Sequence, residues 1–154
     1  MKGNEKILSV LNELLADELT AISQYMVHAE MCDNWGYGKL HEAIEKQAMD
    51  EMHHAEWLIG RIIFLEGSPV VSKLNPMRIA TSVPEMIGND EQAELGAVQA
   101  YNAAIRLAHE VQDQATAELL TEILKMEEGH VDWGETQRDQ IAQMGLESYL
   151  SIQV

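Results

Sequence analysis

The chain has 154 residues, 46% hydrophobic and only 5% aromatic, with three prolines and a single cysteine, Cys32. That length suits one domain, residues 1–154, with its own core, and the richness in Ala, Leu, Ile, Met, Glu and Gln favours packed helices over sheets. A net charge of −16 argues against a nucleic-acid partner, because a phosphate backbone needs a basic face. One cysteine excludes an intrachain disulfide, a Cys₄ zinc site and an iron–sulfur centre. No apolar run reaches the roughly 20 residues of a membrane span, and the start Met1-Lys2-Gly3-Asn4-Glu5 lacks a secretory apolar stretch. A cytoplasmic setting is expected.

Four long periodic segments follow in chain order. The first runs from about Glu5 to Asp33, with Ile7, Leu11, Leu14, Ile22 and Tyr25 near one face, until Asn34-Trp35-Gly36-Tyr37-Gly38 breaks it. The second spans about Lys39 to Glu66, with Ile44, Ala48, Ala55, Leu58, Ile62 and Leu65 aligned, and stops at Gly67-Ser68-Pro69. The third opens at Ser82-Val83-Pro84-Glu85, a capping-box pattern with Pro in the first turn. It continues through Ile87, Val98, Tyr101, Ile105 and Ala108. The fourth begins after a faint break at Gln112-Asp113, where Asp113 can cap, carries Leu120, Ile123, Ile141 and Met144, and ends near Gly145. The spacing allows a short fifth helix over Glu147–Ile152.

The joints predict the topology. The first and third are short, so each pair of helices should be antiparallel neighbours. The middle joint covers positions 67–81 and spans about 50 Å when extended, enough to run the length of a helix about 42 Å long. Helices two and three can then lie parallel, as in a four-helix bundle with one long crossover. An up-down bundle with a loose middle loop is the competing arrangement.

Polar residues interrupt the core stripes at related places. Glu18 lies in register with Leu11, Leu14, Ile22 and Tyr25. Glu51 lies between Ala48 and Ala55, with His54 at i+3. Glu94 interrupts the third helix between Ile87 and Val98, and Glu127 follows Ile123 with His130 at i+3. Adding 76 to Glu18, Glu51 and His54 gives Glu94, Glu127 and His130, and Tyr25 maps onto Tyr101 in the same way. One Glu-x-x-His on a helix is weak evidence, since surface helices contain many. Two of them, each with a core-facing Glu 33 positions upstream, form a strong pattern. Four carboxylates and two imidazoles pointing inward need protons or cations to be stable. Two divalent ions would balance the charge, and an oxygen–nitrogen donor set suits iron or manganese. Tyr25 and Tyr101 sit two turns beyond a ligand Glu, where each hydroxyl can support a carboxylate or serve as an ordinary core group.

On these residues the chain resembles the bacterioferritins of the ferritin-like di-iron superfamily. The likeness includes Asn34-Trp35-Gly36, Asp50-Glu51-Met52-His53-His54-Ala55-Glu56, Glu127-Glu128-Gly129-His130-Val131-Asp132 and Met144-Gly145-Leu146. It implies a ferritin-like bundle holding two irons per subunit. Glu18 and His54 would serve one, Glu94 and His130 the other, with Glu51 and Glu127 bridging. It implies a ferroxidase that oxidises Fe²⁺ with dioxygen or peroxide and deposits ferric mineral inside a 24-subunit shell of dimers; in such an oxidation, electron donation by Tyr25 is the alternative to its supporting a carboxylate. It further implies haem b, one per two subunits, ligated by Met52 from each chain and reduced by a ferredoxin. Beside Met52, Met49, Ile59 and Ile63 form an apolar stripe rotated from the metal face; a dry dimer contact is the plainer use of it. Asp132, Thr136 and Asp139, with Asn34 and Glu66, would line an iron channel between subunits, or simply form a solvated face. Lys46 stands where several family members have a histidine that pairs with Asp50 for an inner-surface iron, so that route is in doubt. His28, His41, His53 and His109 match no ligand pattern. A di-iron peroxidase or oxygenase without storage, and a catalytically idle haem-binding assembly, are the alternatives.

Overall fold

The computed structural model describes all residues, 1–154. Five helices follow in order: α1 (Glu5–Asn34), α2 (Gly38–Phe64), α3 (Val83–Glu110), α4 (Gln114–Met144) and the short α5 (Leu146–Ser151). None is long and apolar enough to cross a membrane. The starts of α1, α3 and α4 are capped by side chains of the expected kind, whereas α2 and α5 have no side-chain cap. Asn4 accepts from the amides of Lys6 and Ile7, Ser82 from that of Glu85, and Asp113 from that of Thr116. The reciprocal bond of the Ser82 box falls one residue early, because Glu85 Oε2 accepts from the Thr81 amide. α1 ends at Gly36, whose φ of 83° is a conformation that a side chain disfavours.

α1 packs with α2, and α3 with α4, as antiparallel hairpins. The segment between α2 and α3 is a crossover that runs along α1. Val70 N donates to Asn12, Asn75 N to Thr20, Arg78 N to Gln24 and Ala80 N to His28, in ascending order on both sides. This returns the chain to the end where α2 began, so α3 runs parallel to α2 and the loose-loop arrangement is excluded. His28 is buried and locks the end of the crossover. Its Nε2 accepts from Ala80 N, which leaves Nδ1 to donate to Asp90 Oδ1 at 2.8 Å. Gln24 donates to the same oxygen. At the opposite end, Arg61 on α2 donates to Thr116 and Asp113 at the α3–α4 turn. α5 docks through the buried Tyr149, whose hydroxyl donates to Gln137.

The apolar core is divided. One cluster of 14 buried residues includes Leu11, Leu14, Leu58, Ile62, Leu120 and Ile123. A second, of 11, includes Ile44, Ala48, Val83, Ile87 and Tyr149. Between them, at mid-height, lies a layer of buried carboxylates and imidazoles. The stripes read from sequence are largely in these clusters, although Ile22, Val98, Ile105 and Ile141 are only partly buried and Met144 is 40% exposed. Met144 lies in the last turn of α4, beyond the packed layers.

Candidate metal centre

Each of the four long helices delivers one carboxylate to the middle layer, and α2 and α4 add an imidazole one turn on. Two groups of potential ligands result, Glu18–Glu51–His54–Glu127 and Glu51–Glu94–Glu127–His130, all buried. They share Glu51 and Glu127. Glu51 places Oε2 3.2 Å from His54 Nδ1 and Oε1 3.0 Å from His130 Nδ1. Glu127 places Oε1 3.0 Å from His54 Nδ1 and Oε2 3.4 Å from His130 Nδ1. Glu18 Oε2 is 3.6 Å from His54 Nδ1, and Glu94 Oε1 is 3.3 Å from His130 Nδ1. Thus two carboxylates each reach both halves with one oxygen, and two reach one half only.

The arrangement is incomplete without cations. Glu18 Oε2, Glu51 Oε1, Glu127 Oε2 and His130 Nδ1 are buried and lack any hydrogen-bond partner. Glu51 Oε1 and His130 Nδ1 approach closely yet without hydrogen-bonding geometry, as atoms aimed at a common point do. Orphaned buried polar atoms are rare in folded proteins. Here they have the donor types, hard oxygen and imidazole nitrogen, that divalent iron or manganese accepts. The donor set fits two such ions.

Without cations, protons share the charge. Burial pushes the carboxyls of Glu18 and Glu51 up, and that of Glu94 to about 8. Burial acts upward on Glu127 too, but hydrogen bonds from Glu94, His130 and His54 outweigh it and hold the group well below the usual range. Burial disfavours the His54 cation, yet hydrogen bonds to Glu127 and Glu18 raise it to about 9. His130 is raised further by Glu127, Glu51 and Glu94 against the same opposing burial.

The surrounding groups orient the ligands. Tyr25 Oη donates to Glu94 Oε1 and Tyr101 Oη to Glu18 Oε1, each at 2.5 Å. The tyrosines therefore serve opposite halves of the centre and are related like the ligands themselves. Asp50 Oδ2 lies 3.1 Å from His130 Nε2 and 2.9 Å from Lys46 Nζ. Asp50 thus faces a candidate ligand imidazole, a placement not expected from its sequence context. Met126 was missed altogether: its Sδ lies 3.2 Å from His54 Nε2. The same offset of 76 maps Asp50 onto Met126, and extending it one residue beyond the ligands would have found the pair.

Two of the clefts on the bundle bear on the candidate site residues. One of about 480 Å³, between α1, α3 and the crossover, reaches Glu18, Glu51, Glu94 and Glu127 past Asp17, Gln24, Asn75 and Asn89. The other, about 250 Å³, lies on the outer face of α1 and α2 and holds Met52 with Ile22, Met26, Ala48 and Met49. Of the stripe expected beside Met52, Met49 joins this cleft, Ile59 packs partly on the core and Ile63 is exposed. Asp132, Thr136, Asp139, Asn34 and Glu66 are all exposed. Among the unassigned histidines, His53 and His109 are exposed, and His41 Nδ1 donates to the Ala29 carbonyl, 3.0 Å away.

The ferritin-like domain profile matches residues 8–144. The bacterioferritin of Brucella melitensis is 38% identical over 149 residues, covering 97% of this chain and 92% of the relative. The bacterioferritin of Mycolicibacterium paratuberculosis is 40% identical over 149 residues, covering 97% and 94%. The bacterial ferritin of Synechocystis is 38% identical over 155 residues, covering 100% and 99%.

Proposed function

This chain belongs to the bacterioferritin family of ferritin-like proteins, and from that membership we propose that it is an iron-storage subunit and a ferroxidase. Fe²⁺ is its substrate. Two ions enter the middle layer, one held by Glu18 and His54, the other by Glu94 and His130, with Glu51 and Glu127 bridging. The observation that carries this reading is the convergence of two four-residue ligand groups on a shared carboxylate pair with orphaned inward atoms. The cleft that reaches four of these carboxylates offers a polar route for a cation.

Each Fe²⁺ gives up one electron. Dioxygen takes two electrons and two protons to become hydrogen peroxide, and peroxide takes two more of each to become water. The bridging carboxylates hold both ions at one distance so that two electrons are available together. Tyr25 and Tyr101 fix the terminal carboxylates, and we assign Tyr25 as a donor of a further electron near the Glu94 half. The ferric product moves into a 24-subunit shell of dimers in the cytoplasm. Haem b would be held in the outer cleft by the Met52 thioether and the apolar side chains around it, with a twofold copy supplying the other half. When bound there, the haem would supply one-electron chemistry for the release of stored iron, with a ferredoxin as the electron source.

Glu18→Ala and His130→Ala should each slow the rapid phase of Fe²⁺ oxidation in air by at least about tenfold, as expected from losing a metal ligand, with helical circular dichroism retained. Stopped-flow traces identical to the parent in both variants would remove this layer as the oxidation site.

A further inference from the structure

The two halves of the centre are related by the 76-residue offset in every ligand, but not in the group behind each imidazole. His130 turns its outer nitrogen to the Asp50 carboxylate, and His54 turns the equivalent nitrogen to the Met126 thioether. A carboxylate accepts a charge-assisted hydrogen bond, whereas a thioether is neutral and a weak acceptor. A carboxylate behind a ligating imidazole fixes its tautomer and increases its donor strength toward a metal, an effect commonly worth 10–100-fold in affinity. Lys46 draws on part of the Asp50 charge, but its side chain is 75% exposed, so solvent screens it. Asp50 itself is largely sheltered, with 16% of its side chain exposed.

We propose that the centre is built asymmetric, with the Glu94–His130 half binding divalent metal first and more tightly, and the Glu18–His54 half second. The bridging pair is common to both halves, and each terminal carboxylate is held by one tyrosine at the same distance. Beside small differences in burial (His130 9% and His54 0% exposed) and in the terminal carboxylate–imidazole distance, 3.3 against 3.6 Å, Asp50 against Met126 is the difference in chemistry next to the ligands. Both act as positioning residues, through a histidine. In function, a tight half would hold one Fe²⁺ ready, and oxidation would begin only when the weaker half fills. The inference rests on the proposed metal centre.

The test is to titrate Co²⁺, which dioxygen does not oxidise at these ligands, into the metal-free full-length protein, following visible absorbance and heat. Two equivalents per chain should bind in two steps separated by about tenfold or more. His130→Ala should remove the tighter step and His54→Ala the weaker one. Met126→Asp should tighten the weaker step and draw the two together. Asp50→Asn should weaken the tighter step alone. Met126→Leu, which keeps the volume and loses the sulfur, should weaken the second step further. Two equivalents bound in one unresolved step, or a second step unmoved in both Met126 variants, would overturn the asymmetry while leaving the metal centre intact. Fewer than two equivalents in the parent would overturn the metal centre and the asymmetry together.

Discussion

Tyr101 and Glu18 lie 83 positions apart and meet at 2.5 Å inside the bundle. Burial pushes the Tyr101 hydroxyl well above its usual range, so it stays protonated and acts only as a donor to the carboxylate. Tyr101→Phe removes that donor and leaves Glu18 with a second unpaired oxygen, since Oε2 already lacks a partner. Leaving a buried acceptor unsatisfied costs about 1–3 kcal/mol, while the ring, which contributes most of the buried area, is retained. The metal-free variant should therefore lose about that much stability in chemical denaturation, and less when Co²⁺ is bound, because the ion then holds Glu18. Equal losses in the two states would show that the tyrosine serves packing rather than the carboxylate. The six residues of the middle layer were legible in the sequence because each interrupts an apolar stripe and each has a counterpart 76 positions away. Met126 carries no chemical signal of its own, because a methionine on a helix raises no expectation; only the 76-position offset from Asp50 points to it.

At the scale of elements, three of the long helices end in the same way. After α1, Tyr37 N donates to Cys32 O and Gly36 N to Asp33 O; after α2, Gly67 N to Ile62 O and Glu66 N to Ile63 O; after α3, Asp113 N to Ala108 O and Gln112 N to His109 O. Each is the paired six-to-one and five-to-two closure that requires a left-handed residue. That residue is glycine only in the first. Glu66 and Gln112 adopt φ of 63° and 62° with a side chain present. The left-handed conformation costs an L-residue roughly 1–2 kcal/mol, and the extra chain entropy of a glycine costs about 0.5–1 kcal/mol. The first term is larger, so Gln112→Gly should stabilise by about 0.5–1 kcal/mol, and Gly36→Ala should destabilise by a similar amount. Thermal midpoints moving in opposite directions would bear this out, and a lower midpoint for Gln112→Gly would contradict it. The break near Gln112-Asp113 was visible from the capping Asp113, yet nothing local marked Gln112 as the strained position. The ties that hold the elements together, Arg61 to Asp113 and His28 to Asp90, span 52 and 62 positions. Periodicity carries no information about such pairs, which is why His28 matches no pattern in the sequence.

The whole molecule carries its exposed apolar residues unevenly. On the outer face of α1 and α2, the cleft holding Met52 adjoins a second one lined by Met26, Val27, Met31 and Trp35, and the two share Met26 and Glu30. Met26 is 51% and Met49 46% exposed, a contiguous strip of the kind that marks an association surface. Against association stands the charge of −16 on every chain, whose repulsion is long-ranged at low salt and falls once the Debye length drops below about 10 Å. Apolar contact does not weaken in the same way. Assembly should therefore tighten as ionic strength rises, the reverse of an interface built on opposite charges. The proposed haem would link this surface to the site: with Met52, of the three methionines in the cleft, as its ligand, each chain supplies one thioether, so uptake in a twofold dimer should saturate at one haem per two chains. Met52→Leu conserves volume and removes the ligand, so it should abolish haemin uptake while leaving assembly unchanged. Sedimentation velocity across a salt series, with haemin titrated by absorbance into the parent and Met52→Leu, measures both properties. A monomer at micromolar concentration, or saturation at one haem per chain, would refute the shared pocket, and equal uptake by Met52→Leu would remove Met52 as its ligand.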